Sequence, residues 1–124
     1  ALSHYGYASY MIENYNDAKL ANEKALVINP DNIYVNGGMG LTLAKLGQIE
    51  EGINYLKKAV SLTNENYMNP YYDLALVYAD SNRIKEAISV LEEGMKISEN
   101  FKEKGMSFYT QLKGKVDFTF NSNV

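Results

Sequence analysis

Small and apolar residues recur along this chain at a spacing of 34 to 35 positions, and that recurrence limits the possible folds more than any other feature. Gly6 and Gly40 are 34 residues apart, as are Ala18 and Gly52, Ala25 and Ala59, Tyr15 and Ile49, and Ile28 and Leu62. A second step of 35 carries Gly40 to Ala75, Ile49 to Ile84, Gly52 to Ala87, Ala59 to Gly94 and Leu62 to Ile97. Every step keeps the size class of the residue. The extra residue falls between Leu62 and Leu74, where the polar stretch TNENYMNP ends in Asn-Pro and admits an insertion as a loop. A period of this length marks an array of supersecondary units, each too small to bury its apolar face without a neighbour.

Spacing within each unit predicts two helices. Tyr5, Ala8, Ser9 and Ile12 stand at i, i+3, i+4 and i+7, a pattern repeated by Met39, Thr42, Leu43 and Leu46 and by Leu74, Val77, Tyr78 and Ser81. First helices are therefore expected over about 2–13, 33–46 and 70–80, with Asn69-Pro70 as a helix start. Second helices are expected over about 16–28, 49–62 and 84–97, carrying Ala18, Ala21, Asn22 and Ala25 or their equivalents on one face. The connecting turns ENYND, GQIE and DSNRIK are short and polar. The stretch FKEKGMSFYTQLK predicts a seventh helix, about 101–113, whose Phe101, Phe108 and Leu112 cover the end of the array.

Charge and composition narrow the chemistry. With 124 residues the expectation is one domain, and a formal net charge of -3 with a pI near 5.1 offers no field for nucleic acid or anionic lipid. There is no cysteine and one histidine, His4, so thiolate chemistry and Cys/His metal sites are not expected, nor is a cofactor. The longest apolar run, around LALVYA, is too short to span a bilayer. No leader is visible, which favours the cytoplasm. The chain does not begin with methionine and opens inside an expected helix, which leaves an upstream address open.

Two stretches suggest chemistry and do not sustain it. NGGMGLTLAKLG, residues 36–47, looks like a phosphate-binding turn built on Gly37, Gly38 and Gly40. It lacks the Gly-Lys-Ser/Thr that a phosphate loop needs, and residue 43 is leucine. Glu50, Glu51, Glu86, Glu92 and Glu93 lie near Lys57, Lys58, Lys85 and Lys96 on second helices, the pattern of a solvated face. No catalytic residue is therefore expected.

Gly6, Tyr15, Ala18, Ala25 and Pro30 stand at the spacing of the tetratricopeptide repeat. YGYASYMIENYNDAKLANEKALVINPDN resembles one whole repeat, MGLTLAKLGQIEEGINYLKKAVSLT a second and LALVYADSNRIKEAISVLEEGMKIS a third. The likeness covers about 100 of the 124 residues. The departures are local. Leu2 and Asn36 stand where the family carries a bulky aromatic, although Tyr71 fits. The repeat-closing proline occurs only as Pro30, with Asn64 and Glu99 in its later places, so those exits are expected to be less sharp. The resemblance implies an all-α superhelix of three helix-turn-helix repeats, about 1–32, 33–66 and 67–100, plus the capping helix.

It also implies function. First helices of such arrays line a concave groove that receives a peptide or helix of another protein. By register, the lining falls on Ser3, Tyr7, Tyr10 and Met11, then on Tyr34, Gly37, Gly38, Leu41, Ala44 and Lys45, then on Asn69, Tyr72, Asp73, Leu76, Ala79 and Asp80. Tyr15, Tyr55 and Tyr78 fall in core phase, whereas Tyr7, Tyr10, Tyr34 and Tyr72 do not. Tyrosine suits a binding surface because it offers a large area and a polar tip at low entropy cost. The carboxylate-binding subtype of the family is not expected, because Ser3, Tyr7, Gly38, Asn69 and Asp73 supply no cation at its places. The alternatives are a structural piece of a longer array or a self-associating scaffold, with an enzyme or nucleotide binder as a remote third. Gly40 has a packing role by register, but Gly37 and Gly38 do not, so they either fray their helix or clear space in the groove. Residues 114–124, GKVDFTFNSNV, alternate at Val116, Phe118 and Phe120 as a strand would. They are expected to be extended or disordered, and available for self-association in a neighbour's groove.

Overall fold

The computed structural model describes residues 14–122, with side chains described as far as Val116. The expected first helix, with His4, Tyr7, Tyr10 and Met11, lies outside the described residues. Those described form six α-helices and no strand. They fall into two compact units, divided between Thr63 and Asn64. The first contains α1 (Tyr15–Ile28), α2 (Ile33–Lys45) and α3 (Ile49–Ser61). The second contains α4 (Asn69–Asp80), α5 (Ile84–Ile97) and α6 (Glu99–Ser122). Helix bounds match the sequence-based ranges to within a residue or two through α5.

In the first unit, α2 packs against both α1 and α3. Its start is set by Asn32, whose Oδ1 accepts from the Tyr34 and Val35 N–H groups at 3.0 and 3.1 Å. Gly37 and Gly38 lie inside a regular helix, so the frayed start is not observed. The core consists of Ala18, Ala21 and Ala25 of α1, Val35, Met39 and Leu43 of α2, and Ile53, Leu56 and Ala59 of α3. Backbones of α2 and α3 meet at Gly40 and Gly52. A Cβ at Gly40 would lie 2.7 Å from Gly52 O, and one at Gly52 would lie 2.6 Å from Gly40 O. Neither helix tolerates a side chain there without moving apart.

Asn36 is fully buried where the related position in the next unit is Tyr71. Its Nδ2 donates to the carbonyls of Pro30 and Asn32, both at 2.9 Å, tying the α1–α2 loop to the helix. Its Oδ1 has no partner. An amide therefore replaces an aromatic by holding the loop with hydrogen bonds rather than by filling volume.

The turns into α3 and α5 are built alike, 35 residues apart. Gly47 has φ 86° and Asn82 φ 62°. The next residue's N–H reaches back to close each turn, Gln48 to Leu43 O at 2.9 Å and Arg83 to Tyr78 O at 2.8 Å. Arg83 then forks onto Glu86, with Nε to Oε1 and Nη2 to Oε2 at 2.8 Å, and lies 4.8 Å over the Tyr78 ring.

In the second unit, α5 packs between α4 and α6. Gly94 leaves room for Phe101 of α6, since a Cβ there would sit 2.7 Å from the Phe101 ring and 3.1 Å from Tyr71. Phe101 and Leu112 are buried and Phe108 is half-buried, as expected of a capping helix. The repeat exits that lack proline are nonetheless well formed. Asn64 Oδ1 accepts from the Asn66 N–H at 2.8 Å. Ser98, extended at φ -137° and ψ 123°, accepts from the Phe101 N–H through Oγ at 3.2 Å.

The tail differs from expectation. The capping helix begins at Glu99 and continues to Ser122, so residues 114–122 are helical rather than extended or disordered. The physical reason is the longer period. Phe101, Gly105, Phe108, Leu112 and Val116 form one stripe at helical spacing, every member buried or half-buried. That stripe outweighs a short alternation. Self-association through an extended tail loses its premise with it. Among the described residues, no helix is long and apolar enough to cross a membrane.

Candidate partner-binding faces

Each unit presents a first helix with two unlike sides. On α2, Val35, Met39, Thr42 and Leu43 face the core. Tyr34, Gly38, Leu41 and Lys45, at i, i+4, i+7 and i+11, occupy a different face. Tyr34 is 61% exposed, Leu41 is half-buried and Lys45 is exposed. A Cβ at Gly38 would make only ordinary contact, 3.7 Å from Asn22 Nδ2. Among the described residues, packing therefore accounts for Gly40 and not for Gly38. Thr42 Oγ1 donates to Gly38 O at 2.7 Å, satisfying a buried hydroxyl within the helix.

On α4, Tyr71, Leu74, Ala75, Val77 and Tyr78 are buried, while Tyr72, Asp73 and Leu76 are half-buried and Asp80 is exposed. The capping helix takes part of this second face. Tyr72 stacks obliquely on Phe108, with centroids 5.1 Å apart, and lies 5.2 Å beneath the Lys104 ammonium. Lys104 Nζ also donates to Asn69 Oδ1 at 3.3 Å. The order of these contacts means that α6 runs alongside α4 in the same sense. Tyr72 is thus half engaged inside the unit, more than its register predicts. Asp73, Leu76 and Asp80 continue the face beyond it.

Asp73 is the residue that sequence reasoning underrated. Register places it on the face, but nothing in the sequence marks it as perturbed. Burial raises its carboxyl pKa from 3.8 to about 6, against the opposing field of Lys104. It forms no ion pair or hydrogen bond among the described residues. Of the other expected positions, Tyr7, Tyr10 and Met11 lie outside the described residues. The described residues hold no cluster of His, Cys, Asp or Glu suited to a metal ion.

Paired antiparallel helices with small residues at the crossings, repeated at 34–35 residues and closed by an extra helix, define a helix-turn-helix repeat protein. Proteins of this class are interaction scaffolds. A family model described as tetratricopeptide repeat matches residues 31–100, more than half of the chain, and the chain belongs to that family. It is 34% identical over 93 residues to a TPR repeat-containing protein of Methanocaldococcus jannaschii. That match takes in 74% of this chain and 16% of the relative's length. Among solved structures, it resembles the Sgt2 TPR domain from Aspergillus fumigatus, with TM-score 0.78 and 20% identity over 97% of this chain and 80% of that one. It also resembles the type III secretion translocator chaperone SycD of Yersinia enterocolitica, with TM-score 0.76 and 18% identity over 94% of this chain and 83% of that one. At these identities the structural likeness speaks for the fold alone.

Proposed function

We propose that this chain is a non-enzymatic protein–protein interaction module that receives a peptide or helical segment on the outward faces of its first helices. The residues involved are Tyr34, Gly38, Leu41 and Lys45 on α2, and Tyr72, Leu76 and Asp80 on α4. Tyr7, Tyr10 and Met11 are assigned by register in the first of three repeats. The observation that carries the reading is Gly38. A helical glycine costs about 1 kcal/mol relative to alanine, and no described neighbour needs the space. Its absent side chain, beside exposed Tyr34 and half-buried Leu41, lets a partner approach the α2 backbone closely.

The test is capture of a partner from native lysate by the wild-type chain, beside Gly38→Ala and Tyr34→Ala. Both variants are expected to lose the same captured protein while remaining folded by circular dichroism. Retention of that protein by both variants would refute this assignment of the face. A second reading, a structural piece of a longer array, is favoured by the share of the archaeal relative that the chain spans. Concentration-dependent light scattering separates it from the first.

A further inference from the structure

The second unit holds a carboxylate that its own side chains do not neutralise. Asp73 lies half-buried on α4, between Tyr72 one residue before and Leu76 one turn on. Lys104 of α6 is the one charged group among the described residues that bears on its ionisation, and its ammonium is held by Asn69 Oδ1 and the Tyr72 ring. No charged group of α5 bears on it, and on α4 the same face carries a second carboxylate at Asp80, two turns further and exposed. A half-buried carboxylate without a partner is costly, and a partner cation placed beside it would recover that cost. We propose that Asp73 anchors a cationic side chain of the bound segment, so that the α4 face takes a lysine or arginine flanked by apolar residues. Tyr72 and Leu76 supply the apolar contact for the stem of that side chain and its neighbours. The inference rests on the interaction-module reading and specifies the chemistry of its occupant. The raised Asp73 pKa adds a signature. Near neutral pH the carboxylate is ionised and ready for a cation, and below about 6 it is protonated and the anchor is lost.

The experiment uses the full chain and four nonapeptides that share one apolar background and carry Arg, Lys, Gln or Glu at the centre. Binding is followed by fluorescence anisotropy from pH 5 to 8. At neutral pH the Arg and Lys peptides are expected to bind about tenfold tighter than the Gln peptide. The preference should fall away with acidification through about 6. Asp73→Asn should abolish both the preference and its pH dependence, with its fold confirmed by circular dichroism. Glu93→Gln, an exposed carboxylate on α5 outside the proposed face, should change affinity by less than about twofold. Equal binding of all four peptides would overturn the anchor and leave a binding face in place. A preference retained in Asp73→Asn, or no binding of the cationic peptides, would overturn it as well. The module reading is judged separately, by capture of a native partner.

Discussion

One chemical change should have opposite effects at two glycines of the first unit. Gly52→Ala puts a methyl group 2.6 Å from Gly40 O and 3.1 Å from Ala44 N. Both are backbone atoms of α2, so no side chain can swing aside. Restoring ordinary contact requires α2 and α3 to separate by roughly 0.7 Å at the crossing. Overpacking of this kind costs about 1–3 kcal/mol, and the helix preference of alanine returns about 1 kcal/mol. The net expectation is a loss of about 1 kcal/mol. Gly38→Ala adds the same methyl with no described atom nearer than 3.7 Å, so it keeps the gain of about 1 kcal/mol. The two variants should differ by about 2 kcal/mol, or roughly 6–8 °C in Tm for a chain of this size. Urea melts followed by far-ultraviolet circular dichroism measure the difference. If Gly52→Ala stabilises the protein as Gly38→Ala does, the crossing is not limited by backbone contact. If both destabilise it, the space at Gly38 is not free to take a methyl group.

Asn82→Gly should stabilise the second unit by about 0.5–1 kcal/mol, because φ 62° is strained for asparagine and free for glycine; an unchanged or lowered urea midpoint would count against this. Phe101→Ala should cost about 3–4 kcal/mol, since the ring is 4% exposed and packs on Tyr71 and Gly94; equilibrium unfolding that matches wild type would contradict the capping role. Asp73 binds its proton more tightly folded than unfolded, so its contribution to stability is present below pH 3.8 and is lost as pH rises through about 6. Asp73→Asn should therefore be more stable than wild type at pH 7 and converge with it at pH 4; parallel stability curves across that window would refute the burial assigned to Asp73.

The repeat was legible because it is written in size rather than in chemistry. Gly40, Gly52 and Gly94 are small because backbones or rings fill the place of a side chain, and small residues at equivalent positions one repeat away betray the same crossing. The turn before α5 was legible in kind, since Asn82 stands 35 residues after Gly47 and both take positive φ. The tail was not legible as a helix because Val116, Phe118 and Phe120 alternate over five residues only. The helical stripe that reaches Val116 starts at Phe101, and its period shows only over four turns. Local alternation carries little weight when a longer helical stripe runs into it.

The outward faces were legible as positions and not as environments. Register placed Tyr34, Leu41, Tyr72, Asp73 and Leu76 on first helices, and the structure keeps them off the central core. It could not show that Tyr72 would be met by Phe108 and Lys104, because those residues reach it from α6, which lies outside the repeat pattern. Nor could it show that Asp73 would be half-buried without an ion pair, because burial depends on what packs alongside and not on sequence neighbours. The capping helix thus closes the apolar end of the second unit through Phe101 and Leu112. It also engages Tyr72 and Asn69 through Phe108 and Lys104, so the one lysine that bears on Asp73 makes its contacts with other residues. The same helix that completes the core therefore leaves the carboxylate open to a cation from outside.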